Sequence, residues 1–195
     1  HGIEIDSTTE DGTTALFNAV EKGHAPVVEK LLDHNAEANL SRDNESPLIQ
    51  ACHRGHHEIV KHLLKASNIK INQKRKTDGA PCLFVACREG ATECVTHLLS
   101  NDLLFINASK TNGRSPLFIA SFFGHSDIVS MLIAHSHRMH KLRMNHGVLD
   151  VNQCDSKGFT PLFIAAQKGH GECCSTLLNS KADVNQGARD RRTPL

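Results

Sequence analysis

Apolar residues in this chain fall in short blocks at helical spacing, and the blocks come in pairs. The first block of a pair, such as Leu16-Phe17 with Ala19-Val20 or Leu162-Phe163-Ile164-Ala165, runs for about two turns and stops at a glycine. The second, such as Val27, Val28, Leu31 and Leu32 or Ile59, Val60, Leu63 and Leu64, forms one apolar stripe on an otherwise polar helix. Ser46-Pro47, Ser115-Pro116 and Thr160-Pro161 set a hydroxyl cap before a proline at the first helical position, where the missing N–H costs nothing. Gly23, Gly55, Gly90, Gly124 and Gly169 then permit the left-handed turn that ends the first helix. Segments ending Ile71-Asn72, Asp150-Val151-Asn152 and Asp183-Val184-Asn185 predict a hairpin-like turn to the next pair. No pair could bury its stripe alone.

The pairs repeat. Leu16, Leu48, Leu83, Leu117, Leu162 and Leu195 open successive units at separations of 32, 35, 34, 45 and 33 residues, one period with a single insertion in the fourth unit. The TPL, AxxGH, LL and DVN landmarks make the chain closely resemble an ankyrin-repeat array over essentially its whole length. The resemblance implies an all-α solenoid of stacked antiparallel helix pairs with β-turn fingers and a concave groove. It divides residues 1–195 into a single array: the tail of a preceding repeat (1–10), repeats at 11–42, 43–76, 77–110, 111–154 and 155–187, and the start of another at 188–195. The fourth repeat carries a His-rich insertion at 134–149. Phe17, Ile49, Phe84, Phe118 and Phe163 replace the histidine that usually follows TPL, so apolar packing is expected there. Ala15 and the Pro81-Cys82 shift weaken the helix starts of the first and third units.

Composition narrows the function. Hydrophobic residues at 39% and charged residues at 22% describe a folding chain, and a net charge of +1 gives no electrostatic reason to expect nucleic acid as a partner. That balance hides an acidic start, with eight acids and two bases in residues 1–41 against thirteen acids and twenty bases afterwards. No apolar run could span a bilayer, and membrane insertion is not expected. Seven cysteines, an odd number set mostly in apolar helical patterns, read as reduced core thiols in a cytoplasmic or nuclear protein.

No catalytic residue, cofactor or metal ligand is assigned. GxSxG, a phosphate-binding glycine loop and paired CxxC motifs are all missing from the sequence. In His53-Arg54-Gly55-His56-His57-Glu58, the pair His57 and His62 stand five apart, whereas ligation from one helix face needs i and i+4. His24, His56, His125 and His170 each follow the inter-helix glycine and are assigned to structure. His135, His137 and His140 in the insertion are expected to share part of a helix face, though spacing alone supplies no ligand geometry, and Met139 and Leu142 would prolong the second helix to a cap at Gly147.

Binding is the function the resemblance implies. Its groove positions transfer to Glu21 and Lys22, His53 and Arg54, Arg88 and Glu89, Phe122 and Phe123, and Gln167 and Lys168. Phe122-Phe123 sets two rings where the other units carry charged or polar residues, and is the expected apolar anchor for a protein or peptide partner. Arg42, Lys74, Arg75, Lys76, Lys110, Arg114, Lys157, Arg191 and Arg192 near the fingers predict a basic rim suited to acidic flanks. Asn185 and Asn152, in DVN-like turns with Leu177 and Met144 upstream, are the candidates for the asparaginyl hydroxylation the resemblance implies. The expected function is thus a non-catalytic interaction scaffold. The alternatives are a structural spacer in an adaptor, cytoskeletal or channel protein, or the non-catalytic part of an enzyme. Oligomeric state is left open.

Overall fold

The computed structural model describes residues 4–142 and 148–186. The expectations for Met144, Gly147, Arg191, Arg192 and the repeat start at 188–195 lie outside these residues.

Among the described residues ten helices follow one another in five pairs: α1 (Ala15–Lys22) with α2 (Ala25–Asp33), α3 (Pro47–Arg54) with α4 (His57–Leu63), α5 (Cys82–Glu89) with α6 (Thr92–Leu99), α7 (Pro116–Phe123) with α8 (Ser126–Lys141), and α9 (Pro161–Lys168) with α10 (Gly171–Asn179). The caps are those the sequence specifies. Ser46, Ser115 and Thr160 accept the backbone N–H of Ile49, Phe118 and Phe163, and Thr14 does the same for Phe17 although Ala15 has replaced the proline. Pro81 sits at the cap position of α5 and offers no side-chain acceptor. The five glycines after the first helices are left-handed, and the next N–H reaches back to an alanine carbonyl, as His56 does to Ala51 at 2.9 Å, which closes the helix end.

First helices stack on first helices and second helices on second helices, so the two rows enclose one continuous interior. Leu16, Leu48, Leu83, Leu117 and Leu162 all lie inside it. Phe17, Ile49, Phe84, Phe118 and Phe163 are buried as well, which bears out apolar packing at the position after the landmark leucine. Cys52, Cys82, Cys87, Cys94 and Cys173 are buried thiols, and burial pushes Cys94 up to about 11, far from the reactive range. Cys154 is exposed. Among the described residues there is no sheet, only isolated bridges such as Arg42 with Glu45 and Lys74 with Pro81 at the finger bases.

The insertion lengthens α8 to twice the length of its neighbour α6, 16 residues against 8. Met139 continues the buried stripe as expected. Leu142 does not: it is the C-cap and is 59% exposed, because the helix has already run past the row of second helices that would cover it.

Candidate interaction groove

Two ladders of hydrogen bonds set the spacing of the units and so the shape of the groove. Along the fingers, backbone N–H groups of Lys76, Thr111 and Ser156 donate to the carbonyls of Asn44, Asp78 and Asn112 in the finger before. Along the other edge, asparagine carboxamides do the same work. Asn39, Asn72, Asn107 and Asn152 accept from the N–H of Lys70, Phe105, Asp150 and Asp183, and the first three also donate to Asn68, Leu103 and Val148 carbonyls. Asn152, a hydroxylation candidate, is therefore a tie between units, whereas Asn185 is exposed with its N–H on Asp183.

The histidines after the glycines form a third series. His125 Nε2 donates to the Arg88 carbonyl at 3.3 Å, and His170 Nε2 to the Phe122 carbonyl at 3.1 Å. Each ring lies against the glycine of the preceding unit, so closely that a Cβ on Gly90 or Gly124 would meet it at 2.8 or 2.6 Å. Where Ala91 stands in the histidine's place, the space over Gly55 is open. These rings are structural, as the sequence suggests.

Finger residues Arg42 and Glu45 reach Glu21 and His53 at the C-terminal turns of the first helices, and the surface between fingers and helices is the candidate groove. At the first three units its floor is a strip of opposite charges. Glu21 meets Arg42 at 3.4 Å and Arg54 at 3.7 Å, His53 lies 3.9 Å from Glu45 and 3.8 Å from Glu89, and Arg88 pairs with Glu89. Lys22, like Gln167, is exposed. At the fourth unit the strip gives way to carbon. Phe122 is half-buried with Phe123 edge-on to it at 4.9 Å; Phe123 is 47% exposed, and the Lys168 ammonium stands 4.6 Å from the Phe122 ring centre.

The basic rim departs from expectation. Arg42 is paired with Asp11 and Asp43 as well as Glu21; Arg75 binds Glu45 and Asp78; Lys110 binds Asp78 at 2.9 Å; Arg114 reaches buried Asp155 at 3.4 Å while covering the Phe118 ring. Arg42, Arg75, Lys110 and Arg114 are thus paired with carboxylates, which weakens their share of any field offered to acidic flanks, while Lys74, on the Ser109 carbonyl, and Lys76 and Lys157 stay exposed. Some of the carboxylates are neighbours in sequence, as Asp43 is to Arg42 and Asp78 to Arg75, while others, such as Glu45 for Arg75 and Asp155 for Arg114, sit about one unit away.

The insertion histidines do not share a face. His135 is buried beside Arg138, whose guanidinium lies 3.0 Å from Nδ1, and burial followed by that charge lowers its pKa. His137 and His140 border a separate hollow with Val148 and Leu149. Histidines that do come together were split in the sequence: His57 and Glu58 of α4 meet His97 of α6, with ligand atoms all within 4.8 Å of one another. A second missed feature is apolar. Leu103 and Phe105 are 70% and 54% exposed in the turn after α6, and Phe105 holds the ladder position occupied elsewhere by Lys70, Asp150 and Asp183. Comparing those aligned turn positions would have found it.

Comparison with known proteins agrees with the architecture. A family model described as ankyrin repeats in three copies matches residues 1–75, 70–145 and 140–195. An Arabidopsis thaliana protein, ankyrin repeat-containing protein ITN1, is similar at 41% identity over 63 residues, 31% of this chain and 11% of that protein. The human protein named ankyrin repeat, SAM and basic leucine zipper domain-containing protein 1 is similar at 39% identity over 62 residues, covering 31% of this chain and 13% of its own length. Its gorilla counterpart is 40% identical over 62 residues. The chain thus spans only a small part of these relatives.

Proposed function

Because the chain belongs to the ankyrin-repeat family, whose repeats are generally protein–protein interaction modules, we propose that it is a non-catalytic scaffold that takes a partner segment into the groove at its fourth unit. The observation that carries this reading is the local change of floor: the charges of three units are satisfied by one another, whereas Phe122 and Phe123 offer carbon surface that water covers poorly. Such a site selects a segment with an apolar anchor. Lys168 beside the rings favours an acidic residue next to that anchor, a narrower preference than a basic rim along every finger. The neighbouring Gln167, Arg88, Glu89 and His53 would set register rather than supply affinity, since exposed paired charges contribute little.

We place the protein in the cytoplasm, where its reduced buried thiols are stable, and we place hydroxylation at Asn185 ahead of Asn152, whose carboxamide holds the next unit. A spacer role is the competing reading.

Selection of peptides from a random library on the wild-type chain, followed by titration against Phe123→Ala, separates the two. Removal of a half-exposed ring should leave melting nearly unchanged and weaken the selected peptides by about tenfold or more. Peptides that bind both forms equally, or a library that yields none, would leave the spacer reading in its place.

A further inference from the structure

The second helices carry a cluster that the groove does not use. His57 opens α4 and Glu58 follows it; His97 comes from α6, one unit on. Their ligand atoms all lie within 4.8 Å of one another, Glu58 Oε1 being 3.5 Å from His57 Nδ1. The imidazoles are nearly parallel, 13° between planes and 6.1 Å between centres. Lys61 reaches the other carboxylate oxygen, Oε2, at 3.4 Å and leaves Oε1 toward the histidines.

We propose that His57, Glu58 and His97 form a zinc-class divalent metal site that clasps the second unit to the third. Two imidazoles and one carboxylate are the donors a borderline-soft ion such as zinc takes, with water completing a tetrahedron at the surface. Around zinc at about 2.0–2.1 Å the donor atoms stand about 3.3–3.5 Å apart, so the three groups have to close by about 1.5 Å at most. That closure needs rotation of the two rings out of their parallel arrangement, and the last torsion of histidine is broad and soft.

The neighbouring junction shows that the arrangement is particular to this one. His62 stands before Leu63-Leu64 as His97 stands before Leu98-Leu99, and it too reaches back one unit, to Glu29 at 3.6 Å. There it finds one carboxylate and no second imidazole, because Ala25 takes the place that His57 fills in α4. A periodic histidine thus becomes a third donor only where the helix start before it also carries one. Helical spacing within α4 does not matter, since the donors come from two helices.

The test is calorimetric titration of the chain with zinc chloride under reducing conditions, alongside His97→Gln, Glu58→Gln and His140→Gln. The last removes an exposed histidine of the insertion, which lies outside the cluster. Wild type and His140→Gln should share one site that His97→Gln and Glu58→Gln weaken by more than about tenfold. Zinc should raise the melting temperature of wild type and His140→Gln but not of His97→Gln, since an ion bound only across folded units stabilises both. Equal titrations in all four proteins, loss in His140→Gln instead, or no saturable binding by wild type would overturn the site. All substituted side chains are at the surface, and far-UV circular dichroism checks that each variant remains helical.

Discussion

The junction between the α3–α4 unit and the α5–α6 unit is built differently from the one between α7–α8 and α9–α10. At the later junction His170 donates to the Phe122 carbonyl with its ring against Gly124, Lys168 covers Phe122, and α9 starts with a hydroxyl cap and a proline. The earlier junction has Ala91 in the histidine's place, open space over Gly55, and a helix start at Pro81 without a side-chain acceptor. It is held instead by Arg75, which reaches back to Glu45 and is braced by Asp78 of its own finger, and by the contact of His53 with Glu89 at 3.8 Å. Both share the asparagine tie, Asn72 at one and Asn152 at the other. Both seams carry an ion pair, Arg75 with Glu45 at one and Arg114 with Asp155 at the other, but only the later one adds the neutral histidine tie. In an array whose stability is a sum of units and nearest-neighbour interfaces, the seam without that neutral bond is the one that pH should loosen first.

The largest effect comes from one substitution made in both contexts. Gly55→Ala and Gly124→Ala each force a Cβ into a left-handed turn, at about 1–2 kcal/mol. At Gly55 nothing further stands in the way. At Gly124 the new carbon meets the His170 ring and displaces it from the Phe122 carbonyl, adding about 1 kcal/mol for the lost hydrogen bond. Urea unfolding should rank Gly124→Ala below Gly55→Ala by that margin. Equal losses would mean that the histidine tie does not distinguish the seams.

The converse experiment fills the empty place. Ala91→His should lay a ring over Gly55 and bring its Nε2 to the His53 carbonyl, the counterpart of the Arg88 and Phe122 carbonyls in the later units. The gain is about 0.5–1.5 kcal/mol less the cost of ordering the side chain, visible as a higher melting temperature. A lower melting temperature would show that the α5 helix start, not the missing ring, limits this seam.

These distinctions were partly legible in the sequence. Short-range features were read correctly because each is decided within one unit: the Ser46, Ser115 and Thr160 caps, the left-handed glycines, the buried phenylalanines after the landmark leucines, and the longer α8. The structural role of the histidines was also visible, as a fixed place after glycine. What escaped crosses between units. Arg75 and Glu45, Arg114 and Asp155, and His97 with His57 and Glu58 become partners only when the stacking register is known. The finger cations therefore resembled an open basic rim, and the second-helix histidines had no visible companions. Phe122 and Phe123 stand out in the sequence because a single unit breaks the pattern of the other four. Phe105 breaks a turn position in the same way, in a segment whose alignment varies in length from unit to unit.

The smallest effect sharpens the electrostatic half of the comparison. Burial pushes the Asp78 carboxyl up, but two hydrogen bonds from Arg75, one from Lys110 and one from the Ala80 N–H outweigh it and hold the group well below the usual carboxylate range. A carboxyl with a lower pKa folded than unfolded contributes its full stabilisation above the ordinary carboxylate range, near pH 4. As pH falls below that value the unfolded chain takes up the proton first, and the contribution drains away toward the depressed folded pKa. Asp78→Asn removes it at neutral pH, by a few tenths to about 1 kcal/mol for a partly exposed network. Wild type and variant should therefore differ most above pH 5 and converge as acid is added, as read by urea midpoints. Glycine substitution at Gly124 acts through a neutral bond, so its deficit should persist across the same range until global acid unfolding intervenes. A deficit for Asp78→Asn that stays constant down to the acid transition would assign the strength of the Arg75–Asp78–Lys110 network to shape rather than to charge.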